Sequence, residues 1–318
     1  MIIFTDLHLR PKTADIVFGE VLPGIFEAAL QDADRAVGFL GDWWHVRYRL
    51  PVDLLNASLV WLETLTEAGC QIHMISGNHD QINGAGETAL EAFGHVDGVH
   101  VYTKPTLNDW GVWLPHQAAE YNSDFLYMGA PASGKVIWAH QDVPGGLMNK
   151  LIQSKGGTVF PETNRVYSGH YHKRQVVGNV TFVGSPYQTR ADEEGNVTGY
   201  GVWNRQTGHF NWVDTGWGPR YYSLDMTDPN FVYPEGMRSH DIIKVIAPSE
   251  SIELVQANLA AMQLQANVCP KIKKKEARLV VPEGAGIGAF AVEYAKKFGD
   301  GLDLQRLLEI AEEVINAI

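Results

Sequence analysis

Ile2-Ile3-Phe4-Thr5-Asp6-Leu7-His8 is a short apolar run that ends on a D-x-H pair. The same arrangement returns four times. Val37-Gly38-Phe39-Leu40 runs into Gly41-Asp42, and Ile72 to Ser76 runs into Gly77-Asn78-His79-Asp80. Val136-Ile137-Trp138-Ala139 ends on His140, and Val166-Tyr167-Ser168 ends on Gly169-His170-Tyr171-His172. Each run has the length of a buried strand, about 4–6 residues. In open α/β sheets, ligands bind beyond the carboxyl ends of strands. Five neighbouring strands are therefore expected to deliver Asp6, His8, Asp42, Asn78, His140, His170 and His172 to one place. A D-x-H or a G-D is common by chance; the order of all five, each at a strand end, carries the reading. Imidazole and carboxylate suit zinc, manganese and iron, and an amide oxygen suits a harder ion. Such a set with one shared carboxylate is enough for two metals, and two-metal sites serve in-line displacement at phosphorus.

The chain has 318 residues, 45% of them hydrophobic and 19% charged, an ordinary balance for one large or two modest globular domains. Its two cysteines, Cys70 and Cys269, form no CxxC pair, which argues against a disulfide framework or a structural zinc site. A reducing cytoplasm is the expected location. No targeting segment is expected, because Asp6 and His8 lie on the first strand. No stretch is apolar for long enough to cross a bilayer as a helix. The net charge of −12 argues against nucleic acid as a partner. Bound divalent cations would reverse that balance locally. The one basic cluster is Lys271, Lys273, Lys274, Lys275 and Arg278, read first as a solvated strand edge.

The pattern predicts an α/β fold: alternating strands and helices followed by mostly strands, then a small α/β subdomain and C-terminal helices. The domain boundaries are expected at 1–218, 219–283 and 284–318. Leu55, Ser58, Leu59, Leu62 and Leu65 have helical spacing with Gly69 as the stop, so this helix joins the Asp42 and Asn78 strands in a βαβ unit. From about Val176, Gly, Asn and Pro punctuate short strands, which predicts a sheet of more antiparallel character. Tyr221–Leu224, Ile242–Ile246 and Ala277–Val281 read as strands, Ile252 to about Gln265 as a helix, and Ala289–Phe298 and Leu302–Ile318 as two closing helices.

The motif series resembles the calcineurin-like metallophosphoesterases, and among them the SbcD-type nucleases that work with SMC-like ATPases in double-strand break repair. Gly41-Asp42-Trp43-Trp44-His45 places a His three after the Asp, as in several members. Ala139-His140-Gln141-Asp142-Val143 is similar to an H-Q-G-V segment, with Asp142 in place of the Gly. Ser168 to Arg174, followed by Gly178 to Pro186, is similar to the family's G-H-x-H-x-x-Q and G-S-P stretches. The ligand motifs span Asp6 to His172 and the wider likeness reaches about Gly218; the resemblance implies a two-sheet sandwich flanked by helices, with the small subdomain as a cap followed by terminal helices. The resemblance implies one metal held by Asp6, His8, Asp42 and His172, and another by Asp42, Asn78, His140 and His170. Asp42 bridges, and manganese is the ion implied. It implies that His79 stabilises charge on the phosphate or protonates the leaving oxygen, that Asp80 orients His79, and that His45 holds substrate or His79. DNA is then the substrate and an SbcC-type ATPase the partner, and a second copy of the chain is an allowed partner.

Other histidines have plainer readings. His73 lies within a strand and reads as a core residue, and His116-Gln117 is a decoy for His140-Gln141. Two alternatives stand beside the nuclease. The same site could serve a small nucleotide or a phosphoprotein, which the acidity favours. The chain could instead be a scaffold subunit that recruits partners through its last helix. There Leu304, Leu307, Leu308, Ala311, Val314, Ile315 and Ile318 form an apolar stripe.

Overall fold

Alternation decides the layers. In the computed structural model the first run is strand β1 (Ile2–Phe4), and β2 (Ala36–Leu40), β3 (Gln71–Ile75) and β4 (Val99–Tyr102) follow it in one sheet. Successive side chains of a strand point to opposite faces. Ile2, Phe4, Val37, Phe39, Ile72 and Met74 accordingly pack in one core with the helix residues Ile25, Leu62 and Leu65. Their neighbours Ile3, Ala36, Leu40 and Ile75 enter another core, with Trp113, Trp138, Tyr167 and Val183 of a second sheet. That second sheet has its own outer core, which includes Val112, Ile137, Val166 and Phe182. The result is two sheets face to face, the sandwich that the family resemblance implies.

The second sheet holds β5 (Thr106–Asn108), β6 (Gly111–Leu114), β7 (Val136–His140), β8 (Arg165–Gly169), β9 (Gln175–Val177) and β10 (Val180–Phe182), in the order β5-β6-β7-β8-β10-β9. Strands β11 (Gly199–Trp203) and β12 (Phe210–Asp214) return to the first sheet, whose order is β12-β11-β1-β2-β3-β4. Two expectations are corrected here. The five ligand-bearing strands are not neighbours in one sheet: β1, β2 and β3 belong to the first sheet, β7 and β8 to the second. The strands after Val176 do not form a sheet of their own: β10 runs parallel to β8, β9 edges it antiparallel, and β11 joins β1 antiparallel. Strand runs specify faces, but partners across more than a hundred residues are set by packing, which a local pattern does not carry.

The helix Val52–Glu67 crosses from β2 to β3, which pair in parallel. It buries Leu54, Ser58, Leu62 and Leu65, one face at helical spacing. Buried Ser58 is satisfied, because Trp43 Nε1 donates to its Oγ at 3.1 Å and Oγ donates to the Leu54 carbonyl at 2.8 Å. Beyond Gly218 comes a three-stranded sheet of β13 (Tyr221–Asp225), β14 (Ile242–Ala247) and β15 (Gln265–Pro270). Its core includes Leu224, Ile243, Val245, Val255 and Leu259. The helix here is described over Ile252–Ala261, and Gln265, near which it was expected to end, begins β15.

The structure describes residues 1–47, 49–82, 87–117, 134–148, 152–228, 230–238, 241–261 and 265–270, with residues 293, 294, 303, 305, 306 and 309. The expected basic cluster, the strand Ala277–Val281 and the apolar stripe of the last helix lie outside the described residues. The chain divides into two compact units, Met1–Cys269 and Pro270–Ile318.

His73 on β3 is a core residue, 3% exposed. Its Nδ1 lies 2.8 Å from Tyr102 Oη and its ring stacks on Trp113 and His100. Burial, and then the neighbouring His100, push its pKa down to about 4. The unfolded chain takes up this proton near the ordinary value of about 6.5, so stability is present above that pH and lost as pH falls towards 4. We expect this residue to cost up to about 3 kcal/mol across that window. Denaturant titrations in EDTA at pH 7 and pH 4.5 should show a smaller acid loss for His73→Phe than for the native chain. Equal losses would contradict it.

Candidate metal centre

The strand ends of the two sheets meet at one point because small residues let them. A Cβ on Gly41, which has φ +96°, would strike His140 Nδ1 and the Gly77 backbone. One on Gly169 would strike Thr5 Oγ1 and the Leu40 carbonyl. These glycines are the first letters of the G-D and G-H-x-H motifs, and close approach is their physical reason. The ligand backbones are themselves unusual. Asp6, His8, Asp42 and His170 have φ of +53°, +45°, +61° and +85°. Left-handed backbone costs a residue with a Cβ about 1–2 kcal/mol, and such strain gathers where function fixes side-chain direction.

All seven expected ligands are brought together. Asp6 and His140 are 0% exposed, Asp42 2%, His8 5% and His172 8%. On one side, His172 Nε2 is 3.7 Å from Asp6 Oδ1 and 3.0 Å from His8 Nε2, and His8 Nε2 is 3.6 Å from Asp42 Oδ2. On the other, His140 Nε2 is 3.4 Å from Asp42 Oδ2 and 3.3 Å from Asn78 Oδ1. His170 Nδ1 is 3.0 Å from Asn78 Oδ1. Two donors on one cation at bond lengths of about 2.1 Å stand roughly 3.0–3.5 Å apart, in octahedral or tetrahedral geometry. The His172–His8, His140–Asp42, His140–Asn78 and His170–Asn78 separations fall in that range, and the His172–Asp6 and His8–Asp42 separations are slightly longer, so the donor set is of the kind that holds divalent cations. The carboxylates Asp6 and Asp42 have no Lys or Arg ion pair among the described residues, which leaves their buried charge to be met by histidines or by metal.

Electrostatics agree with this. Burial opposes a charge on His140, yet Asp42 beside it holds its pKa up at about 9. Burial likewise works against ionised Asp42, but His140 and then His8 hold it well below the carboxylate range. The cluster thus draws positive charge inward, and metal ions would displace those protons.

A ring of further groups fixes the ligands. His140 Nδ1 lies 2.6 Å from the Leu40 carbonyl, so its Nε2 faces Asp42. His172 Nδ1 lies 2.5 Å from Glu193 Oε1, and Thr189 donates to the same carboxylate from N and Oγ1 at 2.7 and 2.8 Å. His170 Nε2 lies 3.1 Å from Asp142 Oδ1. Such partners set which nitrogen is free to bind.

His79 and His45 line the same cavity of about 300 Å³, with His8, Asp42 and Arg10. His79 N donates to Asp42 Oδ1 at 2.8 Å, and its ring Nδ1 pairs with the His45 carbonyl at 3.0 Å. The expected part of Asp80 is therefore corrected. Its oxygens accept from the N–H groups of Asp42 at 2.7 Å, Gly77 at 2.9 Å and Trp44 at 3.0 Å. Fully buried Asp80 orients the two loop backbones, not the His79 ring. His45 Nε2 faces Arg10 Nη1 at 3.1 Å, and the rings of His45 and His79 stack at 5.8 Å. His116, the expected decoy, is near the centre but outside it: its ring stacks on His170 at 5.9 Å and its Nδ1 pairs with the His140 carbonyl.

Sequence reasoning missed Glu193 and Arg10. Arg10 follows D-x-H by two residues, a signal that could have been used. Glu193 lies 21 residues beyond His172 on a short 3-10 turn, Ala191–Glu193, where nothing periodic marks it.

No family model matches the chain. Exonuclease subunit 1 of Enterobacteria phage T4 is 26% identical to it over 232 residues, which is 68% of this chain and 68% of that protein. Among solved structures, the Pseudomonas putida nuclease MPE is 16% identical and covers 63% of this chain and 82% of its own, with a TM-score of 0.25, too loose a superposition to argue from. Motif order and this match to an exonuclease subunit agree: the chain resembles the calcineurin-like metallophosphoesterases, and among them the SbcD-type nuclease subunits.

Proposed function

We propose that the chain is a metal-dependent DNA phosphodiesterase of SbcD type, acting at DNA ends with an SMC-like ATPase of SbcC type. The observation that carries this is the convergence of seven side chains from two sheets: His8, Asp42, Asn78, His170 and His172 line one cavity, and buried Asp6 and His140 stand behind it against Asp42, His8 and His172. The match to an exonuclease subunit supports the substrate class. Two divalent ions, manganese on this reading, would be held by Asp6, His8, Asp42 and His172, and by Asp42, Asn78, His140 and His170. When bound, such ions neutralise phosphate charge and acidify water. The protein groups then divide the rest. Asp42 spans both positions and is anchored by the His79 N–H. The Nδ1–H of His79 donates to the His45 carbonyl, which leaves the Nε2 edge of the ring to meet the phosphate or the leaving oxygen. Arg10 orients His45 across the cavity. The region 284–318 would dock the ATPase.

A second reading keeps the site and takes a small phosphate ester. The chain's net charge of −12 favours it. With manganese present, turnover of a duplex with a free end should exceed that of a nucleoside monophosphate and of a cyclic nucleotide. Faster turnover of either small ester would favour the second reading. DNA binding by the isolated chain should be weak, because the chain is acidic overall, and should weaken further as salt is raised.

His79→Ala removes a transition-state contact and no ligand. Its kcat should fall by about 10²–10⁴-fold, with metal content unchanged by elemental analysis. Parallel loss of metal would mean that His79 serves the metals rather than the phosphate.

A further inference from the structure

We propose that Asp142 is a positioning residue for the ligand His170, and that it governs the affinity of one of the two metal positions. The proposal rests on the two-ion reading above. Asp142 follows His140 by two residues at the end of β7, at the one place where its segment departs from the H-Q-G-V pattern it resembles. Its Oδ1 is 3.1 Å from His170 Nε2. On the opposite side of the same ring, Nδ1 is 3.0 Å from Asn78 Oδ1. An imidazole that donates Nε2–H to a carboxylate presents a lone pair on Nδ1. That lone pair would face the amide oxygen of Asn78, and two acceptors at this distance are brought together by a cation between them.

The carboxylate is itself held. Tyr171 Oη donates to Asp142 Oδ1 at 2.9 Å, and Thr158 N donates to the Asp142 carbonyl oxygen at 2.7 Å. The backbone N–H of His170 donates to both Asp6 oxygens, at 3.2 and 3.1 Å. The ring is thus fixed from both ends, and Asp142 supplies the only carboxylate contact to it among the described residues. Glu193 does the corresponding work for His172 with the nitrogens exchanged: Nδ1 meets Glu193, and Nε2 faces Asp6 and His8. Each metal position therefore has its own carboxylate–histidine pair.

The pairing makes the two positions separable. Loss of such a partner weakens metal affinity by about 10–100-fold. Manganese titration of the full chain, followed by paramagnetic resonance of the free ion, reads both positions without any turnover. Asp142→Ala should weaken one ion by about 10–100-fold and leave the other nearly unchanged. Asp142→Asn keeps an acceptor without charge and should fall between Ala and the native residue. Glu193→Gln should weaken the other ion. The Asp142 side chain is 42% exposed, so the melting temperature in EDTA should be native-like. If Asp142→Ala lowers that melting temperature, Asp142→Asn decides. Native-like binding of both ions by Asp142→Asn and Asp142→Ala would overturn the proposal while sparing the two-ion reading. Weakening of the same ion by the Asp142 and Glu193 variants would also overturn it. A native chain that takes up fewer than two ions would overturn both.

Discussion

Two buried carboxylates, paired with histidines and with no Lys or Arg partner among the described residues, organise the centre of the molecule. Asp6 is 0% exposed and Asp42 2%. Isolated charges in such surroundings cost several kcal/mol unless paired and hydrogen-bonded. Backbone N–H groups of His170 and His79 and the Thr5 hydroxyl meet part of the need. Histidines on both sides meet more, and cations would complete it. The left-handed backbone at Asp6, His8, Asp42 and His170 belongs to the same arrangement, since it turns these side chains towards a common point.

The sandwich exists to bring these groups together. Neither sheet alone holds a complete set. The first supplies Asp6, His8, Asp42 and Asn78 from the ends of three parallel strands, and the second supplies His140, His170 and His172. The shared core of Ile3, Leu40, Ile75, Trp113, Trp138 and Tyr167 fixes the spacing between the two halves. Gly41 and Gly169 bring the loop backbones into contact at the seam. Asp80 then binds the Asp42 and Gly77 loops together from beneath, so that a carboxylate of the G-N-H-D motif stabilises the frame and its neighbour His79 is left to face the cavity.

Much of this was legible in the residues. The apolar runs predict β1, β2, β3, β7 and β8, and the ligands follow from the polar residues that terminate them. Leu62 and Leu65 mark the helix between β2 and β3 because periodic burial is a local property. The sheet membership of β7 was not legible, because the pairing of β7 with β6 and β8 depends on which long-range faces are left to cover. The tasks of Asp80, Asp142 and Glu193 were not legible either. A carboxylate that accepts from three backbone groups looks, in sequence, like one that orients a ring, and Glu193 reaches His172 only after the chain has folded back.

Acidity and function are reconciled by the same centre. A chain of net charge −12 would repel a phosphate backbone, but cations seated at Asp6 and Asp42 would convert the cavity into its most positive region. Arg10 already stands beside it. On the proposed function Asp42 joins two ions, and metal analysis of the purified chain equilibrated with excess manganese counts them. Two ions per native chain and a loss of metal in Asp42→Ala are expected. A stoichiometry that stays at one in the native chain would contradict that reading.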